Sequence, residues 1–129
     1  MMIEASDANQ RRPRIVLIED DPAISEVLTI LFERNGFEAV SHTDGRLIFN
    51  NEYAGGDLFL IDKQLSGVDG LEICRYLKED PATSEVPVIV FSASPYVEQL
   101  ATAAGADLFI EKPFSSKALM DAIEEEEAS

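Results

Sequence analysis

The chain has 129 residues, enough for one domain with a real core, and its 46% hydrophobic and 27% charged residues are those of a globular protein rather than a disordered one. Ten basic residues against 25 acidic ones give a net charge of −15, which argues against direct nucleic-acid binding and against anionic membranes. The single cysteine, Cys74, excludes an internal disulfide, no signal peptide is visible, and the apolar runs are too short to cross a membrane, so a cytoplasmic location is expected.

Residues 1–13 are polar and without period, and read as a leader. Arg14-Ile15-Val16-Leu17-Ile18 is a continuous apolar run, which fits a strand buried on both faces, and it ends on Glu19-Asp20-Asp21. Asp21 before Pro22 is a good helix entry, with Asp21 as N-cap and Pro22 in the first turn. Ile24, Val27, Leu28 and Leu31 recur at helical spacing, and Gly36 closes that helix.

A weak strand is expected over 37–41 and a helix over about 44–53. The Gly55-Gly56 pair then leads into Leu58-Phe59-Leu60-Ile61-Asp62, four apolar residues that stop on a carboxylate. Leu71, Cys74 and Leu77 mark one face of a helix that begins near Asp69 and ends near Asp80-Pro81. A third strong strand covers 86–91 and terminates on Ser92-Ala93.

Val97, Leu100, Ala101 and Ala104 are the expected inward face of the next helix, closed by Gly105. The last strand is expected over 106–110, followed by Glu111-Lys112-Pro113. The closing helix starts near Ser115 with Leu119, Ala122 and Ile123 inward. Glu124 to Glu127 put negative charge at a helix C-terminus that is itself negative, so that end is expected to fray, and residues 125–129 read as an acidic tail.

Five strands alternating with five helices imply a three-layer α/β sandwich, a parallel sheet covered on both faces by right-handed crossovers. All strand C-terminal ends then lie on one edge, where such folds bind ligands. Those ends carry Glu19, Asp20, Asp62, Ser92 and Lys112. Clustered carboxylates repel unless a cation offsets them, and oxygen-rich sites of this kind suit Mg²⁺. Asp62 alone is compatible with a nucleophile, a metal ligand or a helix cap.

Taken together, these residues resemble a response-regulator receiver domain of two-component signalling, over about residues 14–124. The family's acidic pair matches Glu19-Asp20, its phosphoacceptor matches Asp62, its hydroxyl and small-residue pair matches Ser92-Ala93, and its Lys-Pro matches Lys112-Pro113. The resemblance implies the sheet order 2-1-3-4-5 and a cis peptide before Pro113. It implies Mg²⁺ held by Asp20, Asp62 and the backbone carbonyl of Gln64, with Glu19 acting through water. It also implies a phosphoryl group taken from a histidine kinase or phosphotransfer protein. Ser92 and the aromatic at Phe109 would form the switch, although Phe109 is also a candidate for plain core filler.

The implied readout surface is the fourth helix, fifth strand and fifth helix, serving a downstream protein or a homodimer formed on phosphorylation. The chain is thus expected to be a signalling phosphoacceptor and not an enzyme in the ordinary sense. No effector segment follows residue 129, so a partner protein is the expected output unless the chain is a piece of a longer one.

Two departures stand out: Ser66 occupies a place where family loops often carry Pro, which predicts a looser loop, and Phe109 stands where the switch aromatic is often Tyr and has no hydroxyl to hydrogen-bond; Lys63 beside the acceptor is a further oddity. Rival readings are an interaction module that works unphosphorylated and a phosphate sink. A flavodoxin-like cofactor binder is disfavoured because Glu19-Asp20-Asp21 would repel a phosphate. A haloacid-dehalogenase-type phosphatase wants an acid where Gln64 stands.

Overall fold

The computed structural model describes residues 12–128; most of the expected leader, residues 1–11, lies outside the described residues. Five strands, β1 (Arg14–Ile18), β2 (Glu38–His42), β3 (Leu58–Asp62), β4 (Val88–Ser92) and β5 (Leu108–Glu111), form one parallel sheet in the order β2-β1-β3-β4-β5. The order 2-1-3-4-5 is the expected one.

The central strands explain why their sequences read so clearly. Every residue of β3 and β4 is buried, whereas β2 and β5 are only half-covered edge strands. The period of two divides the core between the two faces. Val16, Ile18, Phe59, Ile61, Val88 and Val90 pack on one side. Ile15, Leu17, Leu58, Leu60, Ile89 and Phe91 pack on the other.

Helices α2 (Gly70–Glu79) and α3 (Val97–Ala103) cover the first face through Leu71, Ile73, Cys74, Leu77, Val97 and Ala101. Helices α1 (Pro22–Arg34) and α4 (Ser116–Ala128) cover the second through Leu28, Phe32, Leu119, Met120 and Ile123. The result is a three-layer sandwich with four α-helices among the described residues.

Several expectations need correction. The helix expected over 44–53 is a single 3-10 turn, Gly45–Ile48, capped by the Asp44 side chain. Ile48 is the one large side chain of the turn that is fully buried, and Asn51 at φ 57° ends the segment. Gly45 itself sits so close to the core that a Cβ there would lie 2.6 Å from Ile73 Cδ1.

On α1 the inward stripe is Ser25, Leu28 and Phe32, while Ile24 and Val27 are 39% and 65% exposed. That helix has more apolar residues than the sheet can cover, and the Ser25 hydroxyl bonds to that of Ser41 on β2 instead. Leu100 is likewise exposed, although Val97, Ala101 and Ala104 face inward as expected. In α4 the second inward residue beside Leu119 is Met120, and Ala122 is only half-buried. The acidic run 124–127 stays helical through to Ala128, with Glu126 and Glu127 half-buried. Strand β4 starts two residues late because Pro87 has no N–H to give, although its carbonyl accepts from Phe59 N.

Between β3 and α2 the chain makes a short antiparallel ribbon, Gln64–Leu65 against Val68–Asp69, with Gly67 at φ +80° in the turn. It returns so tightly that a Cβ on Gly70 would overlap the carbonyl oxygen of Asp62 and lie 2.8 Å from Lys63 Cα. Both obstacles are backbone, so nothing flexible can yield. Gly70→Ala should therefore destabilise the fold by about 1–3 kcal/mol or more, read as a lower urea midpoint; an unchanged midpoint would disprove the close approach.

Candidate functional site

Glu19, Asp20 and Asp62 come together at the C-terminal edge of the sheet, each offering a carboxylate oxygen within 4.8 Å of the others. Glu19 and Asp62 are 1% and 3% exposed, so two of the three acids are taken almost completely out of water. Glu19 is fixed by its backbone, whose N–H donates to the His42 carbonyl at 3.1 Å. Its Oε2 accepts from Asp21 N at 3.1 Å, and its buried Oε1 has no hydrogen-bond partner among the described residues.

Asp62 is held on both oxygens. Oδ1 accepts from the Gln64 backbone N–H at 3.0 Å, and Oδ2 meets Lys112 Nζ at 3.3 Å. Lys112 reaches inward from the edge strand because its backbone N–H donates to the Ser92 carbonyl at 2.8 Å. Its ammonium also lies 4.7 Å from the centre of the Phe91 ring, and the Lys112–Pro113 peptide is cis.

Ser92 is fully buried, and its Oγ accepts from Ser94 N at 3.1 Å. It stands one residue beyond Phe91, the register partner of Asp62. Ala93 lines a cavity of about 430 Å³ with Ile24, Phe91, Lys112, Pro113 and Phe114 beside the Lys112 ammonium. Phe109 is half-buried and packs against the α2 and α3 side of the core. Lys63 pairs with Asp69 at 3.5 Å rather than with Asp62. Asp21 is the N-cap of α1, accepting from Ala23 N.

The two neighbouring acids of β1 have opposite electrostatics. Burial, reinforced by the nearby charge of Asp62, pushes the Glu19 carboxyl up to about 7 against the pull of Asp21 N–H and Lys112. Asp20 is held below the usual carboxylate range, first by the Ser66 hydroxyl and then by the Ser66 backbone N–H. Both donors fall on Oδ2, at 2.7 and 2.8 Å. Sequence reasoning missed this contact, having taken Ser66 only as a lost proline. The nearest signal was a hydroxyl residue ahead of Gly67 in a turn.

Three carboxylates, two of them buried, face one ammonium, so the site's negative charge is not fully compensated. The orphaned Glu19 Oε1 and the all-oxygen donor set fit a hard divalent cation such as Mg²⁺, which the cluster of Glu19, Asp20 and Asp62 could hold. Such an edge can activate one carboxylate beside a cation and an ammonium, which is the equipment for phosphoryl chemistry.

A parallel α/β sandwich with acids and a lysine on its C-terminal edge defines a class, and comparison places the chain within it. Residues 15–124 match the response regulator receiver domain family, and the chain belongs to that family. It is 39% identical over 114 residues to the phosphate regulon transcriptional regulatory protein PhoB of Rhizobium meliloti (strain 1021), covering 84% of this chain and 49% of that one. The chain thus spans about half the length of the curated relatives it matches. Among solved structures it resembles a response regulator from Chloroflexus aurantiacus J-10-fl, with a TM-score of 0.85 at 21% identity, covering 92% of this chain and 99% of that one. The signal receiver domain of a histidine kinase from Syntrophus aciditrophicus superposes with a TM-score of 0.81 at 27% identity, covering 90% of each chain.

The raised Glu19 carboxyl makes metal-free stability depend on pH. Below about 4.5 Glu19 is protonated folded and unfolded alike, and its burial as an acid carries no ionisation cost. As pH rises towards 7 the unfolded state releases its proton first, so stability falls, and the full cost is present above 7. Glu19→Gln should therefore stabilise the protein in chelator by about 1–3 kcal/mol at pH 8, with the gain vanishing towards pH 4.5. Urea unfolding across that range is the measurement, and a gain independent of pH would contradict it.

Proposed function

We propose that the chain is a phosphoacceptor of a two-component or phosphorelay system, with Asp62 taking a phosphoryl group from a phosphohistidine on a histidine kinase or phosphotransfer protein. The observation that carries this reading is the Asp62 carboxylate, oriented by Gln64 N–H and Lys112 and set against an acid with an orphaned oxygen. In the transfer an Asp62 oxygen forms a bond to phosphorus as the bond from phosphorus to the imidazole nitrogen breaks, and the electron pair stays on that nitrogen. Water reverses the modification by attacking the acyl phosphate.

Mg²⁺ is the proposed cofactor, held by Asp20, Asp62 and the Gln64 backbone carbonyl, with Glu19 acting through water. Bound there, it would offset charge on the phosphoryl oxygens. Lys112 is positioned to pair with a phosphoryl oxygen in place of the Asp62 oxygen it now meets. Ser92, with the small Ala93 beside it, is the proposed hydroxyl of the switch, and Phe109 the aromatic that responds.

Output is proposed to run to a downstream protein, with a phosphorylation-dependent homodimer as one form. Support comes from the surface of α3, β5 and α4, where Tyr96 at the start of α3 is 74% exposed and Leu100 is 48% exposed. The net charge of −15 supports a protein partner for this domain rather than direct contact with nucleic acid. No helix among the described residues is long and apolar enough to cross a membrane, and we place the protein in the cytoplasm.

Incubation with acetyl phosphate should add one phosphoryl group to the wild-type chain when Mg²⁺ is present and none in chelator, as read by intact mass. Asp62→Asn should stay unmodified under both conditions. A wild-type chain that remains unmodified with Mg²⁺ would favour an interaction module that works without phosphorylation. Size-exclusion chromatography of the modified chain adds a second expectation, a shift from monomer towards dimer; modification without any change in assembly or partner binding would favour a phosphate sink.

A further inference from the structure

Ser66 and Asp20 are 46 residues apart, yet two short hydrogen bonds join them. The Leu65–Val68 pair closes a two-residue turn made of Ser66 and Gly67. Gly67 at φ +80° has the conformation of the third residue of a type II turn, which puts Ser66 at the second. At that position the backbone N–H takes no part in the turn's own hydrogen bond. It is free to serve another element, and here it points with the hydroxyl at one oxygen of Asp20.

Asp20 needs such a restraint. It is only partly buried, and two buried carboxylates lie within 4.8 Å of it, so electrostatic repulsion favours rotamers that swing it away into water. Two donors on Oδ2 oppose that repulsion and fix the side chain, while Oδ1 carries neither of them. The loop expected to be looser for want of proline is thereby tied to the site by the residue that replaces it.

We propose that Ser66 is a positioning residue of the cation site: by clamping Asp20 through its N–H and hydroxyl, it presets the carboxylate that a divalent cation meets. The inference rests on the reading that the Glu19, Asp20 and Asp62 cluster takes Mg²⁺. A ligating carboxylate whose hydrogen-bond partner is removed typically loses about 10–100-fold in metal affinity, and the exposure of Ser66 puts the expected effect at the lower end.

The test is an MgCl₂ titration of the full chain without phosphodonor, followed by calorimetry and by backbone amide NMR shifts. Ser66→Ala keeps the N–H and should weaken Mg²⁺ binding about threefold; Ser66→Pro suits the turn but removes both donors and should weaken it about tenfold or more. Ser66→Thr keeps both donors and should restore wild-type affinity to within about twofold. Thermal melting in chelator checks that each variant folds, and Ser66→Ala decides the matter alone if the proline variant does not. Unchanged affinity in Ser66→Ala would overturn the proposal, and so would tighter binding, which would mean that Ser66 competes with the metal. Wild type that binds no Mg²⁺ would overturn both this inference and the reading beneath it, whereas wild-type binding with indifferent variants would overturn the inference alone.

Discussion

A carboxylate that is 3% exposed at the end of a strand needs partners for both its oxygens, and the way Asp62 acquires them shapes much of the molecule. One partner is local. The chain turns immediately after β3, so that Gln64 N–H reaches back to Oδ1, and the turn continues until Gly70 lies against the Asp62 carbonyl. The other partner is distant, since Lys112 arrives from β5 with its backbone pinned to the Ser92 carbonyl of β4. Three parallel strands must therefore keep their register for one ion pair to form. The apolar run Leu58–Ile61 supplies the rigid base, fully buried between two cores.

The same edge shows how environment rather than residue type decides the state of an acid. Glu19 and Asp20 follow β1 directly, yet their side chains meet different surroundings. Glu19 turns into the protein, where desolvation dominates and protonation is favoured. Asp20 turns towards the loop beyond β3, where Ser66 donates twice and ionisation is favoured. One position thus keeps its charge readily, while the other keeps it only with compensation nearby. A cation bound at the cluster would supply that compensation.

What could be read from sequence follows the same physics. β1, β3 and β4 were legible because burial on both faces makes them continuous apolar runs, and the parallel topology then assigned Glu19, Asp20, Asp62, Ser92 and Lys112 to one edge without any side-chain information. The edge strands are half-buried, and their limits slipped by one or two residues. The segment 44–53 misled because its composition permits a helix, whereas its structure is set by Ile48 and by the approach of Gly45 to Ile73, neither of which is periodic. The phase of α1 misled because Ile24 and Val27 complete a plausible stripe that the sheet does not cover. The Ser66 clamp joins two loops through hydrogen bonds, and no local pattern encodes a contact across 46 residues.

Strand β4 gives the edge a mechanical connection to both cores. Phe91 packs with α1 and α4 and lies under the Lys112 ammonium, while Val90, one residue earlier, packs with α2 and α3. Ser92 then ends the strand fully buried, and among the described residues its hydroxyl accepts from the nearby Ser94 N–H. That bond is local and uncharged, spanning two residues. Lys112 links the two strand ends, since its ammonium meets Asp62 Oδ2 while its backbone N–H donates to the Ser92 carbonyl. Phe109, half-buried on β5 against the α2 and α3 core, borders the same strand through its pairing with Val90. Glu19 and Asp20 thus follow β1 and Asp62 ends β3, while Ser92 ends β4 and Lys112 follows β5.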